Sequence, residues 1–145
     1  MLKRRSVVFG GLALATAPSL AGVAWAQAGK PTLVFLGNEA DAAGKFWRSR
    51  SEPAFLKSDA FKKLDYWAVF PKDDTLMLKE ASWPADAHWV LAEFLTTKEG
   101  KDLWPDQPHF ILAQDKKIVL VVRGNGNWQE KMLPKIAEVT GAKAS

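Results

Sequence analysis

The stretch Gln107-Pro108-His109-Phe110-Ile111-Leu112-Ala113-Gln114-Asp115-Lys116-Lys117-Ile118-Val119-Leu120-Val121-Val122-Arg123-Gly124 decides the fold. Two apolar runs, Phe110 to Ala113 and Ile118 to Val122, flank a polar turn at Asp115-Lys116-Lys117. Runs of this length joined by two or three turn-forming residues specify an antiparallel hairpin. The apolar residues are continuous, which marks strands covered on both faces. Pro108 heads the hairpin. Behind it, Gly124-Asn125-Gly126-Asn127 reads as a tight turn with left-handed positions. It lacks the third glycine and the lysine of a phosphate-cradling loop. A closing helix is expected from about Trp128, with Met132, Leu133, Ile136 and Val139 as its apolar side and Gly141 as its stop.

Upstream, Leu33-Val34-Phe35-Leu36 is a short apolar strand ended by Gly37, and Tyr66-Trp67-Ala68-Val69-Phe70 is a second, stopped by Pro71. Between them a helical pattern starts at Gly44 and carries Phe46, Trp47, Phe55 and Leu56, with Pro53 interrupting it. A further helix follows Pro84 through Trp89, Val90, Phe94 and Leu95, and Thr97 can cap a short piece after it. The order β-α-β-α-β-β-α predicts an α/β domain with a central mixed four-stranded sheet flanked by helices.

The N-terminus reads as an address label. Lys3, Arg4 and Arg5 precede the short apolar stretch Val7 to Ala15, and Ala24-Trp25-Ala26 and Ala26-Gln27-Ala28 are small-x-small cleavage patterns. Residues 1–26 are therefore a signal peptide, Tat-like or Sec, with cleavage after Ala26 or Ala28, and residues 27–145 form one domain. The arginine pair followed by Ser6, Val7 and Val8 resembles a twin-arginine signal. A periplasmic or secreted location follows. The whole chain has 20 basic and 16 acidic residues; without Lys3, Arg4 and Arg5 the balance is 17 to 16 and the net charge falls from +4 to +1. A nearly neutral domain has no basic stripe for phosphates, which argues against nucleic acid as a partner. No stretch after the leader is long enough to span a membrane.

The element order and the proline before the third strand resemble the thioredoxin-like superfamily over the mature chain. Leu33 to Gly37 is similar to its first central strand, and Lys45-Phe46-Trp47 with Pro53 to its proline-kinked first helix. Gln107-Pro108 stands where the family has a cis-proline, and Lys116-Lys117-Ile118 to Gly124 resembles its fourth strand and glycine. The resemblance implies a cis Gln107–Pro108 bond and a backbone edge there that pairs with an extended peptide. It puts Asp41-Ala42-Ala43-Gly44 at the redox locus, with Asp41 at the nucleophile position and Gly44 at the resolving one. This sequence has no cysteine, so thiol–disulfide exchange is excluded by composition. Asp41 is expected instead to cap the helix.

The implied function is a non-redox binding or accessory module for a protein or peptide partner in the periplasm or cell envelope. Its binding residues are Asp41, Gly44, Trp47, Gln107, Pro108 and His109. Two other readings stand beside it: a non-redox enzyme using Asp41 and His109, with Glu39 and Lys45 nearby, and a structural subunit of a cell-envelope complex. The residue types and spacing form no known catalytic set, and no cofactor is called for. His88, between Asp86 and Trp89, lacks a second histidine at ligand spacing, so no metal site is expected. The tryptophans read mostly as core, with Trp47 and Trp83 as candidates to border an exposed groove.

Overall fold

The computed structural model describes residues 29–144; the leader expected over residues 1–26 lies outside them. Four strands form one mixed sheet: β1 (Thr32–Leu36), β2 (Asp65–Val69), β3 (His109–Gln114) and β4 (Lys117–Arg123). Their spatial order is β2-β1-β3-β4, which differs from their order along the chain. β1 and β2 are parallel, with Val34 opposite Trp67, whereas β3 runs antiparallel to both β1 and β4. β1 and β3 are thus the central strands, and their uninterrupted apolar sequences follow from cover on both faces. The hairpin turns on Asp115 and Lys116, which adopt φ of 54° and 66°. That paired left-handed geometry matches the strand twist.

Side-chain alternation divides the interior into two cores. Leu33, Phe35, Phe110 and Leu112 point to one face; Val34, Leu36 and Ile111 point to the other. The first face is covered by α1 (Ala42–Arg50), α2 (Glu52–Leu56) and the closing helix. Here the Trp47 ring stacks on Phe35 at 4.7 Å and meets Phe110 and Trp128 at 5.0 Å each. The second face is covered by α3 (His88–Phe94), with Met77, Trp83, Val90, Leu91 and Phe94 buried against the sheet. Trp83 Nε1 donates to the Met77 carbonyl at 2.8 Å. Trp47 and Trp83 are both interior side chains, so neither borders an exposed groove. Aromatic area of this size is better buried than solvated, and in a domain without disulfides it supplies the core.

Three local expectations are corrected. The Gln107–Pro108 bond is trans, and no cis peptide occurs among the described residues. The chain runs straight from a turn, in which Gln107 N–H donates to the Trp104 carbonyl, into the sheet, where the Pro108 carbonyl accepts from Gly124 N–H at 2.9 Å. Trans proline needs no compensation there, since it only forgoes an N–H at the strand entrance. Second, only Gly124 of the Gly124–Asn127 run has a positive φ, at 84°. Residues Asn125–Asn127 already form the first helical turn. Third, the closing helix is not uniform: a π segment, Trp128–Met132, precedes the α-helical Leu133–Thr140. Pro134 cannot donate to the ladder and its ring crowds the preceding turn, and the wider π turn absorbs that misfit. Gly141 ends the helix at φ 68°, its N–H on the Ala137 carbonyl.

Candidate functional site

One end of the sheet gathers the carboxyl ends of β1 and β4 and the amino end of β3, since Leu36, His109 and Arg123 lie side by side in register. In open α/β sheets, crevices outside strand carboxyl ends are where ligands collect. Here an open cleft of about 500 Å³ is bounded by Ala43 at the start of α1, by Asp106 and Gln107, and by the segment from Arg123 to Asn127 with Glu130. Three separate segments of chain therefore meet around it.

Each wall has a local cause. Asp41 caps α1 as expected: its Oδ1 accepts from Ala43 N–H at 3.0 Å. Asn38, directly after the glycine that ends β1, ties the walls together. Its Oδ1 accepts from Ala40 N–H at 3.0 Å, and its Nδ2 donates to the Pro105 carbonyl at 2.9 Å and to Met77 Sδ. It is fully interior, so these bonds form out of water's reach and hold the Pro105–Gln107 loop against the end of β1. Asn125 Nδ2 donates to the Ala43 carbonyl at 3.3 Å, bridging α1 and the closing helix. Gly124 holds a φ of 84°, which L side chains rarely adopt, and a Cβ there would lie 3.0 Å from the mobile end of the Gln107 side chain, Oε1.

The predicted site residues divide. Ala43, beside Asp41 and Gly44, and Gln107 bring two of the expected loops to the cleft. Asp41 is 3% exposed, Trp47 and His109 0%, and Gly44 and Pro108 are buried as well. Among the six, only Gln107 presents a side chain to the opening. Asp41 and His109 do not hydrogen-bond each other. Asp41 sits with α1 over the face that holds Phe35, whereas His109 lies on the opposite face, its ring edge-on to Phe94 at 6.1 Å. His109 Nδ1 is 3.2 Å from the Gln107 carbonyl. An imidazole nitrogen facing a carbonyl must be the protonated one, which leaves Nε2 as a bare acceptor.

Unsatisfied polar atoms concentrate here. Asp41 Oδ2, His109 Nε2, Arg123 Nη1 and Asn125 Oδ1 are buried without a partner, and outside this end of the sheet only Trp47 Nε1 shares that state among the described residues. Each such group costs about 1–3 kcal/mol relative to a bonded one. Concentration of that cost in one place is the usual mark of a site shaped for something other than stability. Arg123 and Asn125 were not singled out from sequence. The available signal was a guanidinium closing an otherwise apolar strand directly before Gly124.

Electrostatics follow burial. Burial raises the Asp41 carboxyl above its ordinary value, the Gly44 and Ala43 N–H groups oppose this, and the nearby Asp106 charge adds to it. Burial also pushes His109 down to about 4, helped by the Arg123 charge and opposed by the Gln107 carbonyl. The unfolded chain therefore binds a proton on His109 below about pH 6.5 that the folded chain refuses until about pH 4. Its contribution is fully present above pH 6.5 and lost as pH falls toward 4, on the order of 3 kcal/mol in all. Asp41, with a raised value, acts in the opposite sense over the carboxylate range. Urea midpoints measured from pH 7.5 to 4.5 should fall most steeply between about 6 and 4.5, midway between the two values. In His109→Asn, which keeps a donor for the Gln107 carbonyl, that slope should disappear; an unchanged slope would place its origin elsewhere.

Among the described residues no group of three or more His, Asp or Glu side chains is arranged to hold a metal, and no helix is long and apolar enough to cross a membrane. The chain matches no family model, no curated protein and no solved structure.

Proposed function

We propose that this chain is an exported, non-redox binding module of thioredoxin-like design that holds a protein or peptide segment in the cleft between Ala43, Gln107 and Asn127. The observation that carries the reading is the gathering of unpartnered buried polar atoms, Arg123 Nη1 and Asn125 Oδ1 foremost, around an open cleft at the carboxyl end of the sheet. The parallel β1–β2 pair with its helical crossover, the antiparallel β3–β4 hairpin and the closing helix support the thioredoxin-like part. So does Asp41, which fills the helix-capping role at the locus where that family carries its dithiol. The trans Gln107–Pro108 bond removes the cis-proline edge from this reading. The cleft beside it takes over as the contact surface. The positive, apolar N-terminus supports export to the periplasm or beyond.

Gly126 provides the test. It lies on the cleft, and a Cβ placed there meets nothing within 4 Å. Gly126→Trp fills the opening without touching the core, whereas Gly126→Ala leaves it open. Partners cross-linked in the cell envelope to the wild-type protein should be retained by the alanine variant and lost by the tryptophan variant. Equal capture by all three would move the binding surface away from this cleft.

A further inference from the structure

The two edges of the sheet are not alike. β4 carries a bulge where Leu112 and Ala113 meet Leu120 and Ile118, and Lys117 and Arg123 close its ends. Bulges and charges of this kind keep an edge strand from pairing further. β2, at the other edge, has neither bulge nor proline and a single charge, Asp65, at its start. Asp65 N–H donates to the Pro31 carbonyl at 2.9 Å, and the Val69 carbonyl accepts from Gly37 N–H at 3.0 Å. Asp65, Trp67 and Val69 therefore turn their backbone groups to β1, and Tyr66 and Ala68 turn theirs outward. Among the described residues nothing bonds to those outward groups, and Ala68 is exposed. Asp65 and Trp67 share the face covered by α3, where they line an open cleft of about 650 Å³ with Asp86, Trp89 and Lys116. Lys116 Nζ lies 4.7 Å from the centroid of the Trp89 ring, and Lys30 Nζ lies 3.5 Å from Asp65 Oδ1. Asp86 is exposed without an ion-pair partner, and no cation covers Trp67, among the described residues. An open strand edge thus borders a cleft in which one carboxylate and one indole are unmatched.

We propose that β2 takes an extended, basic peptide as a fifth strand, its backbone on the outward groups of Tyr66 and Ala68 and one lysine or arginine in the cleft between Trp67 and Asp86. In strand addition the main-chain bonds supply affinity, and pockets for alternate side chains supply selectivity. A side chain on the added strand beside Trp67 shares its face, because residues paired across strands do. Its charged head can lie over the indole and meet the carboxylate. Charge decides against a second copy of the chain: β2 contains no lysine or arginine, so two such edges placed together would leave Asp86 unmatched. The cleft at Gln107 lies at the opposite end of the sheet, and this surface does not depend on it.

Three N-acetylated, C-amidated hexapeptide pools built from threonine and valine separate the outcomes: one with a central lysine, one with a central glutamate, and the lysine pool N-methylated at every residue. Each is titrated into the ¹⁵N-labelled exported protein. The lysine pool should give saturable shifts at Tyr66, Ala68 and the Trp67 indole, with slowed amide exchange at Tyr66 and Ala68. The glutamate pool should bind at least about tenfold more weakly. The N-methylated pool has no residue N–H to donate and should give no such shifts. Asp86→Asn should weaken the lysine pool by about threefold. Ala68→Pro removes an outward N–H, leaves the β1 ladder intact and should abolish pairing. The dispersion of each variant's spectrum reports its folding, and the altered pools test the same two points on the wild-type protein. Equal binding of the lysine and glutamate pools would overturn the cation site, and equal binding of the N-methylated pool would overturn strand pairing. Shifts confined to the Arg123–Asn127 amides would move the peptide to the other cleft and overturn this surface alone. A dimer in sedimentation that Ala68→Pro dissociates would give the edge to a second copy instead. No shift with any pool would overturn the proposal, while the Gly126 variants still decide the cleft at Gln107.

Discussion

Replacing Trp47 with alanine should lower stability by about 3–5 kcal/mol, the range for emptying a fully buried large aromatic site. The indole is 0% exposed and touches Phe35, Phe110 and Trp128. Because those rings come from β1, β3 and the closing helix, the cavity would open at the junction of three elements and could not close by moving any one of them. Against a typical domain stability of 5–15 kcal/mol, the variant sits near the edge of folding. Trp47→Phe separates packing from polarity. It also leaves a gap, but it removes Nε1–H, a buried donor without an acceptor, and the relief offsets part of the loss. A cost of about 1–2 kcal/mol is expected for phenylalanine in urea unfolding. If the two variants lost equal stability, ring packing would not be the source. A binding defect in Trp47→Ala would report loss of the fold and not loss of a contact, which is why the cleft is better probed at Gly126.

The sheet was legible because its strands are covered on both faces. Thr32–Leu36 and His109–Gln114 are runs that only a central strand accommodates, and the two-residue turn at Asp115-Lys116 leaves no alternative to a hairpin. The Asp41 cap, the break before Pro53 and the Thr97 cap were legible because each depends on one or two neighbouring residues. The site was less legible, because its decisive contacts join residues far apart in sequence. Asn38 reaches Pro105, Asn125 reaches Ala43, and Arg123 lies over Trp104. Apart from the arginine that closes an apolar run directly before Gly124, nothing local distinguishes these from solvated polar residues. The expectation of a cis bond at Pro108 came from resemblance and not from the chain's own chemistry, and the straight entry into β3 shows why it was not needed. Trp47 was misplaced for a related reason: closeness to a loop in sequence says little about which way an indole points once the helix is docked.

Gly100→Ala should be the most damaging one-carbon change among the described glycines. Gly100 lies in α4 (Lys98–Lys101), where the chain reverses after α3. A Cβ there would come within 1.9 Å of the Phe94 carbonyl oxygen and 2.7 Å of its carbon. Backbone cannot rotate aside as a side chain can. The same carbonyl already accepts from Thr97 N–H at 3.0 Å and from Thr97 Oγ1 at 2.6 Å, and Thr97 Oγ1 in turn accepts from Gly100 N–H. Making room would break that set and shift Phe94, a fully buried ring of the second core that packs edge-on to His109. A loss of at least about 3 kcal/mol is expected, at the upper end for overpacking because the obstacle is main chain. Gly126→Ala is the matched control: it is also a helical glycine, but with open space around it, and alanine there should gain about 0.5–1 kcal/mol. The same added methyl group should therefore move the urea midpoint in opposite directions at the two positions. Losses at both would mean that the first turn of the closing helix is not formed as described. A neutral result at Gly100 would mean that the α3–α4 reversal is wider than its hydrogen bonds require. If Phe94 shifts as argued, the Gly100→Ala protein should also admit water to His109, and its loss of stability on acidification should be smaller and level off at higher pH than in the wild type.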